Sequence, residues 1–164
     1  MNKKVKNAKH HCFNGIKFKS QLEVDIYKGL LQAGYKPLYE QCKYCIFEGF
    51  KPTVPFYTRK SKKLNEIALK MQRVLNSTYT PDFVFIAKDK KTVVIIEAKG
   101  FMNDVYPIKR KLFRAYLENI KTELNQQIVY FEIYTKKQLS DTIEILDKDY
   151  GTGENQAGTK EPQP

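Results

Sequence analysis

A chain of 164 residues that is 41% hydrophobic and 13% aromatic is long enough to bury one core but not two, and too apolar for wholesale disorder. Its 29 Lys and Arg against 18 Asp and Glu leave a formal charge of +11, a surplus that suits a polyanionic partner, with nucleic acid ahead of a membrane surface. No stretch is apolar for long enough to span a bilayer and no apolar segment follows the basic start, so neither a membrane span nor a secretory signal is expected, and cytoplasmic localisation is the default.

Residues 1–12 are polar and basic and read as a flexible arm. Phe13-Asn14-Gly15-Ile16-Lys17-Phe18 reads as a tight turn between short extended pieces, because Asn-Gly tolerates the positive φ such a turn needs. Ser20-Gln21-Leu22-Glu23 has the spacing of a helix capping box, and Leu22, Ile26, Leu30 and Ala33 recur at helical intervals until Gly34, predicting a helix over about Gln21 to Ala33. Lys36 to Phe47, rich in Tyr, Ile and Phe, reads as a strand followed by a loop.

The segment from Arg59 to Arg73 is strongly basic, while Leu64, Ile67, Ala68, Met71, Val74 and Leu75 fall on one helical face, predicting an amphipathic helix. Tyr79 to Ile86 and Thr92 to Lys99 are β-rich runs joined by a polar turn at Lys88 to Lys91, the pattern of a hairpin with a buried second strand. A helix over about Pro107 to Leu124, a strand through Ile128 to Tyr134 and a short helix from Ser140 to Leu146 follow. Residues 151–164 hold no apolar periodicity and read as a disordered tail.

Three cysteines point to reduced thiols rather than a disulfide framework. Cys42-Lys43-Tyr44-Cys45, with His10, His11 and Cys12 upstream, offers zinc ligands on paper, but no turn-forming residue separates the CxxC pair, and packing cysteines are the expectation.

The predicted hairpin carries the chemistry. Side chains two apart on a strand share a face, so Glu97 and Lys99 point together, and a neighbouring strand about 4.8 Å away can bring Asp82 alongside. Pro81 lacks a ladder donor and suits a strand start or edge, where a site can open. Two adjacent carboxylates repel unless a hard cation with oxygen ligands joins them, and such a cation can activate water for phosphodiester hydrolysis. The plainer reading makes Glu97 and Lys99 a charged strand end and Asp82 a turn residue. Against it, Val93 to Ile96 is apolar on both faces, so the charges sit at the end of a central strand.

Pro81-Asp82, a spacer of fourteen residues and Glu97-Ala98-Lys99 resemble the PD-(D/E)XK nuclease motif, and Phe18-Lys19-Ser20-Gln21-Leu22-Glu23 resembles the helical acidic motif of that superfamily. Together with Tyr79-Thr80 before Pro81, Phe83 after Asp82 and Gly100, these blocks resemble the phage endonuclease I family of Holliday-junction resolvases and related small phage nucleases, over about residues 13–118.

The resemblance implies an α/β fold with a restriction-endonuclease-like core, a central mixed β-sheet flanked by helices, in a nuclease domain over residues 13–150 with an enlarged insertion at about 48–77. It implies that Asp82, Glu97 and the carbonyl of Ala98 bind Mg2+ or Mn2+, that Glu23 completes the acidic cluster and that Lys99 aids catalysis. Glu23 keeps a structural alternative, since at the third helical position it can cap the backbone of Ser20.

The expected activity is Mg2+-dependent cleavage of branched recombination or replication DNA, in the host cytoplasm if phage-encoded, by a homodimer whose two sites engage two arms. A general or sequence-selective phage endonuclease is the alternative, and a basic DNA-binding module that does not cut is the reading from another class. Candidate DNA contacts are Lys19, Arg59, Lys60, Lys109 and Lys111, of which the helical ones compete with a role as a solvated face.

Overall fold

The computed structural model describes residues 10–61, 64–100, 105–125 and 127–152. Its elements in chain order are β1 (His11–Phe13), β2 (Ile16–Phe18), α1 (Gln21–Gln32), β3 (Leu38–Tyr39), β4 (Tyr44–Phe47), β5 (Tyr57–Ser61), β6 (Leu64–Leu69), β7 (Ser77–Tyr79), β8 (Phe83–Ile86), β9 (Val93–Ala98), α2 (Tyr106–Leu124), β10 (Ile128–Ile133) and α3 (Lys136–Asp149). The chain divides into two compact units, one of residues 1–43 and 80–164, the other of residues 44–79.

The larger unit is built on a mixed four-stranded sheet in the order β10-β9-β8-β3. β9 runs antiparallel to β8 and parallel to β10, and β3 adds antiparallel to β8. The parallel β9–β10 pair needs a crossover, which α2 supplies. Alternation along β9 sorts the faces: Val94 and Ile96 join a core with Phe18, Ile26, Leu30 and Leu146, so α1 and α3 cover that side. Ile95 and Glu97 point the other way, towards α2, where Phe113 meets the Tyr130 ring edge-on at 5.6 Å. α1 and α3 approach closely at Gly29, where a Cβ would come within 2.9 Å of Leu139 Cδ2.

Ser20 caps α1 as its spacing predicts, accepting from the Glu23 N–H. The Asn14-Gly15 turn also forms, both residues having positive φ, and it joins β1 to β2. Four expectations need correction, three of them small. The expected basic arm reaches into β1 at His11 and Cys12, while residues 1–9 lie outside the described residues, as do residues 153–164 of the expected tail. The segment Lys36 to Phe47, expected as a strand followed by a loop, holds two strands, β3 and β4, in different sheets. The last helix is longer than Ser140 to Leu146, because Thr135 and Gln138 form a capping box that starts it at Lys136.

The largest correction lies in the smaller unit, where the expected amphipathic helix is a hairpin. β5 and β6 pair antiparallel with Tyr57 opposite Leu69 and Arg59 opposite Ile67, and β4 pairs with β7. A helix beginning in Arg59-Lys60-Ser61-Lys62-Lys63 would crowd cations at the positive end of its dipole, and Ile67, Met71, Val74 and Leu75 of the helical stripe are exposed, Ile67 at 72%. Cross-strand pairing satisfies the backbone instead, and Lys60 reaches Glu66 at 3.2 Å. The cysteines are free thiols, and Cys45 Sγ lies 3.5 Å from Asn76 Nδ2. No helix among the described residues is long and apolar enough to cross a membrane.

Candidate functional site

Register brings the carboxylates together. Phe83 pairs with Ile96, and continuing that antiparallel ladder one residue beyond β8 sets Asp82 opposite Glu97 on the α2 face. Pro81 accounts for the place where β8 begins, because it cannot donate to a ladder. Asp82 is fixed from two sides: its carbonyl accepts from the Glu40 N–H at 2.8 Å, and its Oδ2 accepts from the Ala98 N–H at 2.7 Å.

Glu97 is buried at 6% exposure beside the fully buried, apolar Ile95 and Ile96. Its Oε1 accepts from Lys99 Nζ at 2.8 Å, while its buried Oε2 has no hydrogen-bond partner among the described residues. Lys99 Nζ also sits 3.8 Å from the centroid of the Tyr106 ring, so the ammonium is held between a carboxylate and an aromatic face. Tyr106 is the first residue of α2 and is itself buried.

Burial, then the Glu97 charge, push the Asp82 carboxyl up to about 8, against the opposing Ala98 N–H and Lys99. Glu23 adds to the same rise, so three acids share one electrostatic environment at this end of the sheet. The oxygens of Glu23 are already engaged. Oε1 accepts from Ser20 Oγ at 2.8 Å, and Oε2 accepts from the Lys19 N–H at 2.9 Å and from Tyr39 OH at 2.6 Å. The capping alternative is therefore realised in part, through Lys19 and Ser20.

Of the candidate DNA contacts, Lys19 lies at the acidic end of the sheet. Partial burial works against its charge, but Glu40, Asp82 and Glu23 outweigh it and raise its pKa, and its Nζ pairs with Glu40. Lys109 and Lys111 lie in the first two turns of α2, Lys111 exposed. Arg59 and Lys60 are exposed on β5, in the smaller unit. Sequence reasoning missed Tyr39, Glu40, Tyr106 and Glu132. The last lies opposite Glu97 on β10 and accepts from Arg110 at 3.1 Å and Tyr134 OH at 2.7 Å. Only pairing with β9 singles it out, and pairing is invisible along one strand.

Among the described residues, no group of three or more His, Cys, Asp or Glu side chains is arranged to hold a metal ion. A cation at this site would rest on Asp82, Glu97 and main-chain oxygen. The donor set fits one of the hard divalent ions: paired carboxylates, one raised by the other's charge, and a buried Glu97 oxygen with no donor.

The fold and the site define an α/β protein with an acidic pair and a half-buried lysine at one end of a mixed sheet. The chain belongs to the family described as Protein of unknown function (DUF1064), whose model matches residues 3–134. The match takes in all of the site residues described above. No curated protein and no solved structure matches the chain.

Proposed function

We propose that this protein is a metal-dependent DNA endonuclease of the PD-(D/E)XK kind. The observation that carries the reading is the facing pair Asp82 and Glu97, with a partnerless buried oxygen on Glu97 and Lys99 on the same face. The order helix, three antiparallel strands, crossover helix and parallel strand, formed by α1, β3, β8, β9, α2 and β10, supports a restriction-endonuclease-like core.

Asp82, Glu97 and the Ala98 carbonyl would hold Mg2+ or Mn2+, which makes a bound water nucleophilic near neutral pH and offsets charge on the phosphate. Lys99 is oriented by Glu97 and Tyr106, and its Nζ can donate to a phosphate oxygen or steady the attacking water. Glu23 contributes negative potential at Asp82 while fixing the start of α1. Glu40 and the Ala98 N–H hold Asp82 in place, so the site is set by backbone and not by flexible side chains alone.

The resemblance to junction resolvases favours branched DNA as the substrate, cut by a homodimer. The test is cleavage of a four-way junction, a flap, a linear duplex and a single strand of matched sequence in Mg2+, Mn2+ and Ca2+. Cleavage in Mg2+ or Mn2+ with preference for the junction supports the full reading. Equal cutting of every duplex form removes the branch preference, and no cutting of any DNA in any metal removes the nuclease.

A further inference from the structure

A cleft of about 430 Å³ lies between α2 and the edge strand β10, with Arg110, Arg114 and Lys121 along its helical side and Tyr130 and Glu132 along the strand. Those helical positions follow one another at intervals of four and seven residues, so they form one stripe down the same flank. Leu117 and Ile128 supply an apolar floor.

The charges in this cleft are unequally satisfied. Arg110 is committed to Glu132 at 3.1 Å, and Glu132 also takes the hydroxyls of Tyr130 and Tyr134. Its carboxyl is held below the usual range: partial burial would raise it, but the Tyr134 and Arg110 contacts prevail. The side chains of Arg114 and Lys121, by contrast, make no hydrogen bond or ion pair with any described residue, although Glu118 stands at helical spacing from both and lines the same cleft. Two cations turned to a cleft and left unpaired beside an available carboxylate are suited to an incoming anion.

Position gives that anion its class. Glu132 is the register partner of Glu97 on the neighbouring strand and shares its face, so the cleft opens directly beside the acidic pair. Arg110 lies 5.9 Å from the Tyr106 ring, whose face carries Lys99. From Arg114 to Lys121 the helix rises roughly 10 Å, a length that reaches from one phosphate to a near neighbour along a nucleic-acid strand. We infer that the α2–β10 cleft is a phosphate-tracking subsite that receives the nucleic-acid backbone leading away from the Asp82–Glu97 centre, with Arg114 and Lys121 as its contacts. The inference rests on the nuclease reading for the direction of the strand but is tested by binding alone.

The test is fluorescence anisotropy of labelled duplex in Ca2+ across a salt series, comparing wild type, Arg114→Ala/Lys121→Ala and Lys137→Ala/Lys148→Ala. The last pair removes the same charge from exposed positions on α3. The α2 variant should lose about tenfold or more in affinity, and its log–log salt slope should fall by about two, while the α3 variant keeps the wild-type slope. Equal losses in the two variants mean that net charge alone binds DNA, and no loss in the α2 variant means that the cleft does not; either result overturns the inference. Should no DNA be cut by the wild type while the slope difference persists, the subsite stands and the catalytic reading falls.

Discussion

Asp82 and Glu97 face each other across the end of the β8–β9 hairpin, and Asp82 is tied to the strand of its partner by the Ala98 N–H at 2.7 Å. Two acids so close in a buried place cannot both be ionised cheaply without a cation, and this conflict gives the account its pH signature. The folded protein holds a proton on Asp82 up to about 8, whereas an unfolded aspartate releases it near 3.9. Between those values the folded state binds more protons, so stability conferred by this group is present at low pH and lost as pH rises through the window. Urea midpoints of the metal-free protein should fall from pH 5 towards pH 8 more steeply for wild type than for Asp82→Asn. Parallel profiles would place the proton elsewhere.

Tyr106 is expected to act as a seat for Lys99. Its ring face lies 3.8 Å from Nζ, and a desolvated contact of this kind is worth up to about 2 kcal/mol. Tyr106→Leu should slow single-turnover cleavage by about tenfold, because Lys99 loses the aromatic face that holds its ammonium in place. Tyr106→Phe, which keeps the ring face, should cut at close to the wild-type rate. A Leu variant that is folded and cuts as fast as wild type would reduce Tyr106 to a packing residue.

Glu23 combines a cap and a charge, and Gln separates them. Glu23→Gln can still accept from the Lys19 N–H through its amide oxygen while its NH2 donates to Ser20 Oγ, so its melting temperature should stay near that of wild type. With the negative charge gone, Mn2+ affinity measured by calorimetry should weaken several-fold, about 1 kcal/mol or less. Unchanged affinity would leave Glu23 with its structural role only.

The sheet's central strand could be read from Val93 to Ile96, and the α1 cap from Ser20 and Glu23, because local pattern and capping chemistry are written in consecutive residues. Asp82, Glu97 and Lys99 were legible for the same reason: each sits at a strand end flagged by Pro81 or by an apolar run. Tyr39, Glu40, Tyr106 and Glu132 were not, since each joins the site through a strand pairing or a helix start far along the chain. The β5–β6 hairpin was misread because Leu64, Ile67, Ala68 and Met71 match a helical stripe by spacing, and spacing says nothing of a partner strand. The charge run before it carried the opposing signal.

α3 lies beyond the residues matched by the family model, yet Leu146 is fully buried in the core with Ile26 and Leu30. Leu146→Ala should therefore cost about 2–5 kcal/mol in a urea titration, as deletion of a packed side chain leaves a cavity. A cost near that of a surface change would show α3 to be dispensable to the larger unit.

The most direct test of the central claim is single-turnover cleavage of labelled four-way junction and duplex in Mg2+ by wild type, Glu97→Gln and Asp82→Asn, with circular dichroism and DNA affinity in Ca2+ measured alongside. The account predicts that wild type cuts, that both variants lose cleavage by at least about a thousandfold, and that both keep the wild-type spectrum and bind DNA within a few-fold of wild type. Folded variants that cut at the wild-type rate would contradict it.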